Sequence, residues 1–424
     1  MKLEAFQSDK GDCLLLTAGD GTRVLVDGGM RGSYSKHVAP ALGAIAAAGG
    51  RLDLVCVSHI DQDHIAGVLQ LMADEVAWRV ADFQHGSGNA GFPEPANPRP
   101  PAVARVWHNG FHDVVGDNAG PIADALAASA AVLEPGEAER VAAALQRGLA
   151  TSIAEGLQLS ARLAPAQLGI PLNREFGGKL AMVRPRRRTV RLGAGLRLTL
   201  LGPFEEDLEK FRGKWNDWLA ENGESVERLR ARMQEDAERL ATGEIDAFRR
   251  GLAVRADELG RRTNVTVENL VSIMLLAEED GHRVLLTGDG HGADVLRGLE
   301  RARKLDRSGR IHVDVLKVPH HGSEHNLDAD FAARVTADHY VFCANGEHAN
   351  PDLRIVRALF DARDAEGAAG PPFTFWFNSS STASEDAKGK QHMAEVEVLV
   401  AQLEGRAGGR MASRFLADSS FEVG

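Results

Sequence analysis

Residues 58–64 read Ser58-His59-Ile60-Asp61-Gln62-Asp63-His64 and follow directly on the apolar run Leu52-Asp53-Leu54-Val55-Cys56-Val57. A strand of that kind normally ends in a turn of small residues. This one ends in imidazole nitrogens and carboxylate oxygens, the usual donors to a borderline or hard divalent ion. Packed onto one loop at a strand end, His59 and Asp61 can face one way while Asp63 and His64 face another. That spacing suits two metal ions a few ångströms apart, which activate a water and hold an oxyanion. Taken alone, the stretch also fits a polar turn with surface histidines.

Two other strand ends favour the metal. Val284-Leu285-Leu286-Thr287-Gly288-Asp289 is an apolar strand closing on a carboxylate. Leu316-Lys317-Val318-Pro319-His320-His321-Gly322-Ser323 closes on paired histidines. Open α/β sheets gather their sites at the C-terminal ends of strands.

The surrounding 424 residues are 44% hydrophobic with a net charge of −11, a globular composition long enough for one large domain with insertions or for two. No apolar run reaches the roughly 20 residues of a membrane helix, and the N-terminal MKLEAFQSDKGDC has no secretory pattern. Cys13, Cys56 and Cys343 are the only cysteines, which predicts buried reduced thiols and a cytoplasmic protein. The acidic balance argues against broad non-specific duplex binding, while one basic groove remains compatible with it.

Along the chain, 1–30 reads as strands joined by a Gly19-Asp20-Gly21 turn, followed by an Ala-rich helix near 37–48 and a strand at 52–57. A helix starts behind the quoted motif, with short strands near 79–84 and 103–107. The segment 118–168 has helical periodicity, strands resume near 181–201, and a long charged region runs from Pro203 towards Gly260. Further strands fall at 271–277, 283–287 and 313–318. Strand–helix alternation at both ends predicts an α/β sandwich.

These motifs resemble the metallo-β-lactamase superfamily, whose signature is HxHxDH, a later Asp closing a strand and a later His closing another. Asp61 stands where the commoner pattern has His. With LLTGD and KVPHHGS following, the set resembles the soluble hydrolase domain of ComEC-type DNA-uptake proteins; Gly11-Asp12 and Leu25-Val26-Asp27-Gly28-Gly29 agree with it. The resemblance implies an αββα sandwich with a large helical insertion: a first half at 1–110, a mostly helical insertion at 111–263, and a second half with a C-terminal extension at 264–424. It implies two divalent ions, Zn or Mn. His59 and Asp61 would bind one and Asp63 and His64 the other, with Asp289 bridging. His320, the first residue after its strand, would complete the second site, with His321 as the alternative. The superfamily usually gives the first metal a further histidine. None lies at 264–272, where Asn264 and Asn269 stand, so either the first metal is under-coordinated and weakly bound or Asn269 or a water fills the gap; the carboxylate and amide oxygens make the site harder and Mn²⁺ a competitor of Zn²⁺.

The resemblance implies a metal-dependent hydrolase, with a phosphodiesterase or nuclease as the leading reading. Asp61 or Asp63 would share a proton, and His348 or His321 would help the leaving oxygen. A small-molecule hydrolase of a lactone, thioester, lactam or phosphate ester is the second reading, and an effector regulated by a protein partner, its metal site silent, is the third. The expected partner is nucleic acid or another phosphodiester, with no membrane. His85 and His108 follow strands that would end at the same rim. Asp12 and Asp27 read as supports or turn residues, Arg184–Arg188 as a phosphate track or strand lead-in, and Trp215 and Trp218 as core contacts.

Overall fold

The computed structural model describes residues 1–110, 148–184, 189–209, 272–368 and 370–423. Asn264, Asn269, Trp215, Trp218 and Arg186–Arg188 lie outside these, as does most of the expected insertion. Two sheets carry the described chain. The first contains β1 (Lys2–Phe6), β2 (Leu14–Thr17), β3 (Arg23–Val26), β4 (Leu54–Cys56), β5 (Val106–Trp107) and β14 (Ser420–Val423), in the order β14-β1-β2-β3-β4-β5. The second contains β6 (Thr189–Leu192), β7 (Leu196–Gly202), β8 (Met274–Glu279), β9 (His282–Leu286), β10 (Ile311–Lys317), β11 (Val335–Phe342), β12 (Phe373–Phe377) and β13 (Met411–Phe415), running in reverse numerical order. Strands β3 to β5 are parallel, as are β9 to β13.

The site-bearing strands are apolar and buried where they approach the site, at Leu54–Cys56, Val284–Leu286 and Val315–Leu316, because the sheets are covered on both faces there. Leu54 and Cys56 point into the core between the sheets, where they meet Leu275, Val284, Leu286 and Val315. Val55, between them, points outward to α1 (Ala39–Ala47), α2 (Gln62–Gly86) and α3 (Gly148–Leu163), with Leu42, Ile65, Met72 and Leu159. In the second sheet Leu285 and Leu316 point outward to α4 (Gly292–Arg301), α5 (Ala329–Arg334), α6 (Leu353–Asp364) and α7 (Ala387–Arg406). This alternation places helices outside two stacked sheets. The result is a mixed α/β architecture consistent with the metallo-β-lactamase type.

Three sequence expectations change. Residues 79–84, read as a strand, continue α2, a helix of 25 residues. The β-forming Val80 and Phe83 that suggested a strand are 44% and 70% exposed, while Ala81 is buried and Arg79 pairs with Glu75 one turn back. The strand at 103–107 shrinks to Val106–Trp107 plus an isolated bridge from Val103 to Leu52. The expected C-terminal extension is built into the sheets: β12 and β13 extend the second, and β14 pairs with β1 in the first. Within 111–263, β6 and β7 form the edge of the second sheet. All three cysteines are buried and unpaired.

One close contact fixes the start of α2. Gly28 N–H donates to His64 O at 2.8 Å, and Gly67 N–H donates to Gly29 O at 2.9 Å. A Cβ on Gly67 would lie 1.9 Å from Gly28 O, so only glycine lets these backbones meet. The helix turn carrying Asp63 and His64 is thereby clamped to the loop carrying Asp27.

Candidate metal centre

Four strand ends converge. Asp27 follows β3, and Ser58 and His59 follow β4. Asp61 is the N-cap residue of α2, and Asp63 and His64 lie in its first turn. Asp289 follows β9, and His320 and His321 follow β10, whose last residue is Lys317. The two halves of the chain meet here: His59 Nε2 lies 3.6 Å from Asp289 Oδ2 and 3.6 Å from Asp61 Oδ2. His64 Nε2 lies 3.4 Å from Asp289 Oδ1 and 3.8 Å from Asp63 Oδ2. His321 Nε2 is 3.3 Å from both Asp63 Oδ2 and Asp289 Oδ2, and His320 Nε2 is 3.7 Å from Asp289 Oδ2.

The outer ring nitrogens explain why the inner ones face the centre. His64 Nδ1 is 2.9 Å from Asp27 Oδ2, a carboxylate that can only accept. Ser58 Oγ donates to the same oxygen at 2.7 Å, leaving its lone pairs for His59 Nδ1 at 3.1 Å. His321 Nδ1 donates to Cys343 O at 2.6 Å. Asn326 Nδ2 donates to Asp289 O at 3.0 Å, so its Oδ1 faces His320 Nδ1 at 2.6 Å. All four rings therefore carry their outer proton on Nδ1, and in the neutral form each turns an Nε2 lone pair inward.

Those inner atoms fit a metal. His59 Nε2, His64 Nε2, His321 Nε2 and Asp289 Oδ1 are buried without a hydrogen-bond partner among the described residues. A buried polar atom left so costs about 1–3 kcal/mol, and here several converge on one point. His59, His64 and Asp289 offer three donor atoms within 4.8 Å of one another. Asp12, His64 and His321 form a second such trio, but the Asp12 carboxylate is already paired with Lys317. The Lys317 ammonium, fully buried, forms an ion pair with Asp12 Oδ2, donates to Gly288 O at 2.9 Å and lies 3.6 Å from Asp289 Oδ1.

Electrostatics bind the cluster together. Burial works against the His64 imidazolium, yet Asp289, Asp63, Asp27 and Asp12 outweigh it and hold its pKa well above the ordinary value. Burial likewise opposes the His321 cation, and Asp289, Asp12 and Asp63 raise its pKa. Burial disfavours the Asp289 carboxylate, but His321, His64 and His59 keep its pKa well below the usual range. Asp12 falls to about 2 because Lys317, then His64 and His321, overcome its burial.

The remaining sequence candidates separate. His348 lines a cleft of about 460 Å³ together with Asp61, Asp63, Asp289, His320, His321, Lys10 and His325. His85 sits at the end of α2, bonded to Phe92 O, and does not line the cleft. His108 is fully buried beside Ile60 and Gly156, and burial, only partly offset by the Gly156 backbone, lowers its pKa to about 4. Arg184 does not line the cleft. Sequence reading missed Lys317, Ser58 and Asn326, although a lysine inside the apolar Val315-Leu316-Lys317-Val318 was a visible signal.

A family model described as the metallo-beta-lactamase superfamily matches residues 9–80. That segment holds Asp12, Asp27 and the whole loop His59 to His64. None of the curated proteins compared with this chain matches it. The match and the buried His/Asp cluster together indicate a metal-dependent hydrolase. Among the described residues, no helix is long and apolar enough to cross a membrane.

Proposed function

We propose that this chain hydrolyses phosphodiesters, nucleic acid among them, at a centre holding two divalent ions, Zn or Mn. The observation that carries the reading is the donor set: three carboxylates, Asp61, Asp63 and Asp289, interleave with inward Nε2 atoms around one open cleft. Such an oxygen-rich set suits hard ions and phosphoryl oxygens. Bound divalent ions would supply Lewis-acid activation of a water and offset charge building on phosphate oxygens. The chain does the rest. Asp289 faces both donor sets, and Asp61, with a side chain 41% exposed at the cleft, takes up the proton the water loses. His348, 74% exposed beside Glu347, hands a proton to the leaving oxygen.

The electrostatics of the cleft also support a second reading. Among the described residues, Lys10 is the only Lys or Arg lining it, and it is paired with Glu347 at 3.1 Å. Glu324 and Asp352 add negative charge to the same wall. A small ester, lactone, thioester or lactam needs no cationic track. The test is hydrolysis by metal-reconstituted protein of bis-p-nitrophenyl phosphate, single- and double-stranded DNA and a neutral aryl ester, each across a salt series. The phosphodiesterase reading expects turnover of the diester, with DNA cleavage falling steeply as salt rises. Turnover of the neutral ester alone, indifferent to salt, would replace it with the second reading.

A further inference from the structure

We infer that the adjacent histidines His320 and His321 serve different ions: His321 joins Asp63 and His64, while His320 joins His59 and Asp61 as the missing donor. This deepens the metallohydrolase reading and rests on it. Donor atoms on one four-coordinate ion, bonded at about 2.0–2.2 Å, stand about 3.3–3.6 Å apart. Around the second position the separations are 3.3 Å for His321 to Asp63, 3.3 Å for His321 to Asp289, 3.4 Å for His64 to Asp289 and 3.8 Å for His64 to Asp63. That set is complete with four residues. Around the first position His59 stands 3.6 Å from both Asp61 and Asp289 Oδ2, and His320 stands 3.7 Å from that same Oδ2, the atom His321 also faces at 3.3 Å, so Oδ2 is the point the two sets share.

The backbone is bent to permit this. In a strand, consecutive side chains point to opposite faces, which would send one of the two rings away. Here His320 (φ 46, ψ 54) and His321 (φ 55, ψ 13) are both left-handed, and Gly322 follows at φ 83. Two successive non-glycine residues in that region cost on the order of 1–2 kcal/mol each. Their rings end 5.7 Å apart and nearly perpendicular, at 76°, both with Nε2 turned to Asp289. Strain of this kind gathers at functional sites. Separate anchors hold the rings apart: Asn326 for His320 and Cys343 O for His321.

The experiment counts ions. Full-length protein, His320→Asn and His321→Asn are stripped with chelator, titrated with Mn²⁺, and read by native mass spectrometry and electron paramagnetic resonance. Asparagine tolerates the left-handed region but is too short to place a donor where Nε2 stands; His320→Gly repeats the measurement should the Asn variant fold poorly. Wild type should take two ions with an exchange-coupled spectrum. Each variant should keep one, with the lost ion weakened beyond the ~10–100-fold seen for groups that merely support a ligand. Adding Asp61→Asn to His320→Asn should remove no further ion, whereas adding Asp63→Asn should remove the second. A His320→Asn protein that still binds two ions as wild type does overturns the assignment and leaves the metallohydrolase reading intact. Wild type that binds a single ion also overturns it, and wild type that binds none overturns the reading beneath it.

Discussion

Replacing Asp27 with Asn tests the tautomer argument at one atom. Asp27 is fully buried and accepts from Ser58 N–H at 2.6 Å, Ser58 Oγ at 2.7 Å and His64 Nδ1 at 2.9 Å. Its φ of 59° lies in the left-handed region, where Asn is among the best tolerated residues, so the backbone has little reason to move. The amide oxygen can keep the Ser58 N–H bond. The amide nitrogen then replaces the oxygen that faces His64, donates to Nδ1 and forces the His64 proton onto Nε2, where a lone pair is needed. Losing a charge-assisted bond removes about 1.5–3 kcal/mol of stability. Disturbing a partner of this kind weakens metal binding about 10–100-fold, equivalent to about 1.4–2.7 kcal/mol. Competition against a chromophoric chelator measures the affinity, and thermal melting of chelated protein measures the fold. A folded Asp27→Asn protein with wild-type metal affinity would refute the tautomer account and with it the role of Asp27.

Asp289→Ala should lose both ions and activity together, because the carboxylate faces His59, His64, His320 and His321; elemental analysis retaining two equivalents would show that it does not bridge. In metal-free protein His64 and His321 have raised pKa values, so their contribution is complete below about 6.5 and is lost as pH climbs through the raised values, whereas the depressed carboxylates Asp12, Asp63 and Asp289 contribute above about 3.8 and lose that as pH falls. Chelated protein should therefore melt lower as pH rises past neutral, while metal uptake tightens over the same range because ions displace those protons; a chelated protein that melts higher there contradicts the charge pattern. Gly67→Ala, with its Cβ 1.9 Å from Gly28 O, should cost about 1–3 kcal/mol or more and loosen metal binding through the shifted helix start, and an unchanged melting temperature would show that the contact relaxes freely.

What could be read from sequence was local. Strands closing on SH, GD and HH announce themselves because the apolar run and its polar end are contiguous, and the structure brings those ends together. Features depending on distant partners were not legible. β14 pairs with β1 across nearly the whole chain, and Phe421 and Ala5 carry no mark of each other. The acceptor for His321 is the backbone carbonyl of Cys343, a group every residue possesses. The strand mistaken at 79–84 shows the opposite error, in which the β-propensity of Val80 and Phe83 outweighed a helical spacing already set from Ile65 onward. The geometry of the two histidines was hidden too, since a sequence does not show that consecutive residues turn left-handed.

Lys317 gives the centre a property that its ligand chemistry does not. Five carboxylates, Asp12, Asp27, Asp61, Asp63 and Asp289, stand in this cluster, and two divalent ions alone would leave one negative charge uncompensated beside neutral imidazoles. The ammonium held between Asp12 and Asp289 supplies it. With two ions bound as proposed, the chain would itself bring the third cation, tethered by a side chain and beyond the reach of any chelator. A metal-free centre keeps this counterion, and ions entering it would find the carboxylates already drawn together.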